Sequence, residues 1–245
     1  MDRVLELWRS CCGDRRPSLL LHCCCGPCSG SVLELLTENF DVTVFWYNPN
    51  LYPEAEFELR LETLKELIGR MGLADRVGFI GTDYRSVDYR SAVRGLEEEP
   101  EGGARCASCF RLRLEETAKT AREEGFDFFC STLTVSRHKD AVLINALGEK
   151  AAEHCGGTTA GRIFRAEAER LAALRKGQGS AESVWSDALF SGPVWLPSEF
   201  KKRGGENRSQ ELAEKFGLYR QVYCGCEFSY NKRTDCDAGP SVKRK

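Results

Sequence analysis

Seven cysteines lie in three short motifs whose spacing suits metal binding or redox chemistry. The motifs read CCGPC, CASC and CGC, and their cysteines are Cys24, Cys25, Cys28, Cys106, Cys109, Cys224 and Cys226. The thiolate form of cysteine binds metal ions and iron-sulfur clusters and is also a strong nucleophile. Closely spaced cysteines bring two sulfurs to the same centre. The sequence therefore predicts a metal or redox site.

The composition limits where this chemistry takes place. Thirteen of the 245 residues are cysteines, and 35 Lys and Arg against 37 Asp and Glu give a net charge of −2. The chain starts without the pattern of a secretory leader and holds no apolar run of membrane-spanning length. We expect a cytoplasmic protein without membrane attachment, whose thiols serve metal or redox chemistry rather than a disulfide framework. The balanced charge means that any RNA partner must be met locally.

The first motif connects a strand to a helix. It follows the apolar run Ser18–Cys23 and precedes a helical pattern. In an open α/β sheet, ligands bind beyond the carboxyl ends of the strands, and a helix N-terminus stabilises thiolates. Cys24, Cys25 and Cys28 are therefore candidate ligands or nucleophiles. Cys23 is expected in the core, because strand residues alternate between faces.

The other two motifs differ in spacing. Cys106 and Cys109 are one turn apart at the start of a predicted helix, and Arg105 beside them favours thiolates. Cys224 and Cys226 are suited either to a reversible disulfide, which carries two electrons, or to ligation of a neighbouring metal. The glycine between them relieves the backbone constraint of such closeness.

Zinc is the simpler alternative for these cysteines. A four-cysteine zinc site usually draws on two close pairs in a small module that needs the metal to fold. Seven cysteines exceed one zinc site, and they lie at the ends of elements in a chain long enough to fold without metal. An iron-sulfur cluster with a redox pair or a second metal accounts better for their number.

Alternating strands and helices must position these motifs. Apolar and β-branched runs predict strands at Ser18–Cys23, Asp41–Tyr47, Val77–Ile80, Phe126–Cys130 and Pro193–Leu196. Helical patterns separate the first four strands and follow the fourth. This order predicts a Rossmann-like α/β fold, with a mostly parallel sheet, helices on both faces and the cysteines at the C-terminal edge of the strands.

We expect one domain over residues 18–231. An N-terminal extension, residues 1–17, precedes it, and a disordered tail, residues 232–245, follows it. Residues 156–192 depart from the strand-helix rhythm and carry a basic helical stretch. They are therefore interpreted as an insertion.

Five fragments in order resemble one enzyme family. They are CCGPC, YNPN, EPEGGARCASCFRLRLEETAKTA, FFCSTLTVS and LYRQVYCGCEFS. Together they are similar to the cobalamin-independent epoxyqueuosine reductases, the QueH family. The segment before Ser18 and residues 156–192 lie outside this resemblance. It implies an oxidoreductase that converts epoxyqueuosine to queuosine at the wobble position of tRNA, the last step of queuosine biosynthesis, by adding two electrons and two protons and releasing water.

The resemblance also implies roles for individual residues. It places a [4Fe-4S] cluster on Cys24, Cys25, Cys106 and Cys109 and makes Cys224 and Cys226 a redox-active pair. Cys28 is a possible ligand of an additional mononuclear metal ion. The partners implied are tRNA carrying epoxyqueuosine in its anticodon and an unidentified electron donor.

Substrate-binding residues are harder to recognise in the sequence. Asn48, Asn50 and Tyr52 follow the second strand and are candidates for reading the modified base. His138 is expected to face solvent or substrate. Candidates for phosphate contacts are Arg162, Arg165, Arg170, Arg175, Lys176, Lys201 to Arg203 and Lys243 to Lys245.

Two alternatives remain open from the sequence. One is an iron-sulfur reductase of a small disulfide substrate, although such enzymes group their cysteines more closely and lack the YNPN and LYRQVYCGC elements. The other is a zinc-binding RNA module. An ATP-using tRNA sulfur-transfer enzyme is disfavoured, because CCGPCSGS stands where that chemistry needs an SGGxDS-like phosphate loop.

Overall fold

The computed structural model describes residues 2–178 and 192–231. Its six strands form one parallel sheet in the order β3-β2-β1-β4-β6-β5. The strands are β1 (Ser18–His22), β2 (Asp41–Trp46), β3 (Gly78–Gly81), β4 (Phe128–Ser131), β5 (Thr158–Thr159) and β6 (Val194–Trp195). The predicted Rossmann-like α/β fold is confirmed.

Helices flank the sheet. They are α1 (Asp2–Cys12), α2 (Gly26–Leu36), α3 (Glu54–Arg70), α4 (Ser86–Ala92), α5 (Ala104–Glu123), α6 (Ala141–His154), α7 (Ala160–Arg175) and α8 (Gly205–Lys215), with short 3-10 helices at Thr132–Val135 and Lys202–Gly204. Helix α2 packs against α3 and α8, and α5 packs against α6. No helix in these described ranges is long and apolar enough to cross a membrane.

The core surrounds the two central strands. Leu19, Leu20 and Leu21 of β1 and Phe128 and Phe129 of β4 are fully buried. Such continuous apolar runs are typical of parallel strands that are covered on both faces. Because β1 and β4 are buried on both faces, the positions of their carboxyl ends are fixed by the core.

The first helix also belongs to the core. Val4, Leu5 and Trp8 of α1 are buried, and the Trp8 ring lies 5.7 Å from the ring of Phe128. Residues 1–17, predicted as an extension, therefore contribute to the packing of the sheet.

Residues 156–192 contribute to the sheet as well. Strand β5 pairs with β6, and Ala160 and Ile163 of α7 are buried in the core. A two-residue edge strand such as Thr158–Thr159 has too little sequence pattern to be recognised. Residues 179–191 and the predicted tail, 232–245, lie outside the described residues.

Ion pairs and hydrogen bonds join residues at the amino ends of the strands. Asp127, just before β4, accepts hydrogen bonds from both terminal nitrogens of Arg15 at 2.9 and 3.0 Å. The same carboxylate accepts from the amide and hydroxyl of Ser18 at 2.8 Å. Arg16 pairs with Asp41 at 2.9 Å.

Candidate metal and redox site

Three thiols converge where β1 meets α2. The sulfurs of Cys24, Cys25 and Cys28 all lie within 4.8 Å of one another. Cys25 is the N-cap residue of α2, and Pro27 lies in the first turn, as the sequence predicted. The helix starts at Gly26, four residues earlier than its apolar pattern indicated, so Cys28 is on the helix itself. A helix N-terminus stabilises negative charge on these sulfurs.

The three thiols differ in how readily they lose a proton. The Cys24 sulfur is 4.0 Å from that of Cys25 and 3.9 Å from the hydroxyl oxygen of Thr132. Hydrogen bonds from the Cys25 and Cys28 thiols hold the pKa of Cys24 well below its usual range. The bond to Cys24 raises the pKa of Cys25 to about 12. Of the three thiols, Cys24 therefore loses its proton most readily.

The position of these three cysteines depends on a close approach between helices α2 and α3. A side chain at Gly26 would place its Cβ 2.9 Å from the backbone oxygen of Thr63 in α3. Only glycine allows α2 to start against α3 in this way. Cys23 points into the core and is fully buried, which confirms its predicted place.

The second motif begins α5. Cys106 is half-buried in the first turn, and its sulfur accepts a hydrogen bond from the amide of Gly102 at 3.2 Å. Cys109, one turn later, is buried in a small cluster with Tyr89 and Cys226. The two thiols of the CASC motif therefore have different surroundings.

Arg105 does not have the role that its position in the sequence predicted. Its guanidinium donates to the carbonyl of Glu97 at 2.6 Å and lies 4.3 Å from the ring centre of Phe228. It thus joins the loop before α5 to the C-terminal segment. The cation next to Cys109 is instead Arg113, one turn after Cys109 along α5, whose Nε donates to the Cys109 carbonyl at 3.2 Å.

The third motif lies against α3 and the loop after β2. Gly225 has a φ of 123°, and a Cβ there would be 2.6 Å from Leu51 and 2.9 Å from Arg60. Its carbonyl accepts from the amide of Tyr52 at 2.8 Å, and Arg60 donates to the carbonyl of Cys224 at 3.2 Å. The predicted need for glycine between the two cysteines is confirmed.

Three cations that sequence reasoning missed surround the thiols. Arg60 and Arg113 are buried, and Lys139 is half-buried. Burial lowers the pKa of Lys139, but negative charge at Cys24 and Cys224 outweighs it and raises the pKa above its usual value. These cations favour a negatively charged centre between them.

Arg113 had a signal in the sequence. It follows Cys106 by seven residues and Cys109 by four, which is the spacing of one helix face. Lys139 and Arg60 had no comparable signal, because only the fold brings their loop and helix to the cysteines.

One cavity joins the three motifs. Its volume is about 760 Å³, and its lining includes Cys28, Cys106, Cys224, Arg137, His138, Lys139 and Arg220. One cysteine from each motif therefore faces the same space, while Cys109 and Cys226 lie behind it in their shared cluster. His138 is exposed at this cavity, in agreement with its predicted position.

The loop residues proposed to read a base are not at this cavity. Asn48 is buried and donates to the carbonyl of Cys23 at 2.8 Å, and Asn50 is also buried. Tyr52 packs edge-on against the ring of Tyr230. The prediction is therefore wrong for the position of these side chains: they support the loop rather than line the cavity.

The basic residues proposed for phosphates are mostly elsewhere. Arg162 pairs with Glu153 at 2.8 Å, Arg170 pairs with Glu167 at 2.6 Å, and none of the α7 candidates lines the cavity. The side chain of Arg203 and residues 243–245 lie outside the described part of the chain. Arg137, His138 and Arg220 are the basic residues that the fold brings to the cavity mouth instead.

The remaining cysteines lie outside the site. Cys130 is buried in β4, whereas Cys12 and Cys155 are half-buried away from the cavity. The side chain of Cys11 and the whole of Cys236 are outside the described residues. Nothing in the described part of the chain gives these cysteines a role in the site.

Fold and site together define an α/β protein with a group of cysteines at the carboxyl edge of its sheet that could hold a metal ion. The family model described as Epoxyqueuosine reductase QueH matches residues 19–180 and 183–232. The chain therefore belongs to the QueH family of epoxyqueuosine reductases, which are oxidoreductases. The match runs through most of residues 156–192, so the expectation that this segment lies outside the resemblance is wrong.

Individual relatives agree with this assignment. An epoxyqueuosine reductase QueH of Streptococcus pyogenes is 36% identical over 94% of this chain and 76% of its own length. That of Staphylococcus epidermidis is 33% identical over 95% of this chain and 84% of its own. The Thermotoga maritima protein is 29% identical over 93% of this chain and 97% of its own.

Proposed function

We propose that this chain reduces epoxyqueuosine to queuosine in tRNA and does so with an iron-sulfur cluster and a cysteine pair. Membership of the family supports the reaction. The proposed site rests on one observation: a cysteine from each of the three motifs lines the same cavity. An epoxide loses its oxygen as water when it gains two electrons and two protons, so the site must provide both.

The donor set fits an iron-sulfur cluster. Within residues 2–178 and 192–231, the only group of three or more clustered ligand side chains is Cys24, Cys25 and Cys28, which offers thiols without a carboxylate and does not include Cys106 or Cys109. Soft thiolates select iron-sulfur clusters or zinc over hard cations. Cys24, Cys25, Cys106 and Cys109 would hold a [4Fe-4S] cluster, which supplies one-electron transfer when bound. Cys28 would hold a mononuclear metal ion beside it.

Cys224 and Cys226 would serve as the redox pair. Two thiols that form a disulfide release two electrons and two protons, which equals the demand of the epoxide. Cys224 lines the cavity, whereas Cys226 is buried beside Cys109. The external electron donor then restores the two thiols for the next turnover.

The cavity mouth would receive the tRNA. Arg137 and Arg220 are the basic groups that phosphates of the anticodon would meet there, beside the acids Glu101, Asp140 and Glu206, and Arg137 would exchange its pair with Glu206 at 2.8 Å for a phosphate. The cavity of about 760 Å³ suits a single extruded nucleoside rather than a stacked anticodon. Basic groups at the mouth would hold the backbone, and the interior would hold the modified base.

The reaction itself is the first test. Anaerobically reconstituted protein is incubated with tRNA that contains epoxyqueuosine and a chemical reductant, and the nucleosides are measured by mass. We expect queuosine to appear over several turnovers. Iron and labile sulfide in the active protein support the cluster, whereas zinc without iron would favour a zinc-binding RNA module.

Two variants test the residue roles. Cys106→Ala should lose the cluster absorbance and turnover; a variant that keeps both contradicts the assignment of Cys106 as a ligand. Cys224→Ser should fail in multiple turnover while it keeps the cluster absorbance. Normal turnover of this variant with a chemical reductant would remove the pair from the reaction.

A further inference from the structure

Two exposed valines lie at the mouth of the cavity. Val142 is 80% exposed and Val222 is 66% exposed, and among the other large apolar side chains of the described residues only Val87, at 65%, is comparable. Val222 lines the cavity, and Val142 comes between Asp140 and Leu143, which also line it. A single exposed apolar side chain is common on a protein surface, whereas several beside one opening indicate an interaction surface.

Neighbouring contacts hold the backbone at both valines. The amide of Val142 donates to the carboxylate of Asp140 at 2.8 Å, which caps the first turn of α6. Beside Val222, the hydroxyl of Tyr223 donates to the carbonyl of Tyr52. A β-branched side chain on a fixed backbone has few rotamers to lose, so covering these valines costs little conformational entropy.

The partner that covers these valines must leave the cavity open to the nucleoside. When a nucleoside turns out of a stacked loop, the faces of its neighbouring bases lose their stacking partner. Proteins that bind splayed nucleic acid cover such faces with apolar or aromatic side chains. Arg137 and Arg220 line the same cavity and would meet the backbone of the same loop. A folded protein docked over the valines would instead close the opening.

We propose that Val142 and Val222 form an apolar rim that packs on the bases next to the wobble nucleoside of the tRNA. The inference rests on the proposed function, because it assumes that this nucleoside enters the cavity. Contacts of Arg137 and Arg220 with phosphates weaken as salt rises, since they release counterions. Packing of the rim on base faces has no such dependence. The rim therefore supplies a part of the affinity that salt does not remove.

Serine variants test the rim. Val142→Ser and Val222→Ser are made singly and together. Val87→Ser, on α4, is the matched control, because Val87 is as exposed as Val222 but does not line the cavity. Arg137→Gln removes a charge at the same mouth. The dissociation constant of each protein is measured, at low and at physiological salt, with an anticodon stem-loop RNA that carries guanosine at the wobble position.

The expected losses differ in their dependence on salt. The double valine variant should bind the stem-loop at least about tenfold more weakly at both salt concentrations, because it loses the burial of two apolar side chains. Arg137→Gln should instead lower the slope of affinity against salt by about one. Val87→Ser should bind like the wild type. On a stem-loop that lacks both bases next to the wobble nucleoside, the double variant and the wild type should bind equally.

Three outcomes would overturn the inference. One is equal affinity of the double variant and the wild type for the complete stem-loop, which would assign the valines to a protein partner. Another is an undiminished loss on the stem-loop without the neighbouring bases, and the third is a wild type that does not bind the stem-loop. Formation of queuosine from complete tRNA is measured separately. A protein that binds through the rim but forms no queuosine defeats the proposed reaction and leaves the rim intact.

Discussion

The two ends of the parallel sheet differ in how their charges are compensated. At the amino ends, Asp127 binds Arg15 and Ser18 through four hydrogen bonds of 2.8 to 3.0 Å. At the carboxyl ends, Arg113 and Lys139 form no ion pair with an acid of the described ranges, and negative charge on cysteines raises the pKa of both. Charge at the amino ends is paired within the chain, whereas at the carboxyl ends Arg60 pairs with Glu56 and these two cations pair with no acid.

Residues at the amino edge and residues at the carboxyl edge of the sheet therefore have different roles, one in stability and one in the chemistry of the site. Paired charges and satisfied hydrogen bonds at the amino edge stabilise the native state without any ligand. At the carboxyl edge, negative charge on the cysteines raises the pKa of Arg113 and Lys139, and the same cations would favour the negatively charged centre that we propose. Changes at the two edges should therefore produce different defects.

The largest expected effect is at the carboxyl edge. Cys24→Ala should lose bound iron and at least about 100-fold in turnover, because loss of a metal ligand costs no less than loss of its supporting residues. Its free energy of unfolding without metal should change little. Iron content, turnover and urea unfolding measure these three quantities.

The matched control is Cys130→Ala in β4, which is also fully buried. It should lose about 1–2 kcal/mol of stability by leaving a cavity and keep its iron and turnover. Equal iron content and turnover in the two variants would abolish the distinction between site and core cysteines.

The next effect tests the amino edge. Asp127→Ala should lower the free energy of unfolding by about 3 kcal/mol, because it breaks the pair with Arg15 and the bonds from Ser18. Turnover per folded molecule should stay at the wild-type value. Asp41→Ala is the control: the Asp41 side chain is 67% exposed, so its loss should cost less than about 1 kcal/mol. A clear loss of turnover in folded Asp127→Ala would contradict the separation of the edges.

Acid should weaken the carboxyl edge in the metal-free protein. Burial lowers the pKa of His22 to about 3, so the ring is neutral in the native state, where it contacts Ser131 and the carbonyl of Tyr47. The unfolded chain takes up a proton below about pH 6.5, and stability is lost as the pH falls from there toward 3. Between pH 7 and pH 5 the loss from His22 should be about 2 kcal/mol.

Urea unfolding at both pH values measures this loss, and His22→Gln provides the comparison. The variant should be less sensitive to pH by that amount. An identical decrease in wild type and variant would assign the acid sensitivity to other groups.

The smallest effect concerns the CGC motif. Gly225→Ala should cost about 1–2 kcal/mol more than Gly217→Ala, because both glycines have positive φ but only Gly225 has Leu51 and Arg60 against it. Turnover should fall only in Gly225→Ala, since its change displaces Cys224. Equal stability and turnover of the two variants would show that the position of the motif does not depend on this contact.

The sequence predicted the parts of the molecule that carry a regular pattern. Apolar runs located β1, β2 and β4, and the alternation with helices predicted a parallel sheet with the cysteines at one edge. Strand β5 was missed because two threonines make no run. The role of α1 in the core was missed because Val4, Leu5 and Trp8 have no partner strand nearby in the sequence.

The site was predicted less completely than the fold. The spacing in CCGPC was enough to group Cys24, Cys25 and Cys28. Asn48 and Asn50 were assigned to the substrate because they follow the second strand at the same edge of the sheet as the cysteines, whereas here their side chains are buried. Lys139 comes from a loop before α6, and its approach to the thiols depends on the packing of α5 against α6. Contacts of that kind are set by the whole fold and leave no local pattern.

The contact of Gly225 with Leu51 and Arg60 also has a consequence for biosynthesis. Translation releases the CCGPC motif early and the CGC motif only after β6, so this wall of the cavity is missing from the growing chain. The cavity is complete once residues 218–226 have left the ribosome and packed on α3. Loading of the proposed cofactor into the finished site would therefore follow translation, on a sheet that has already folded.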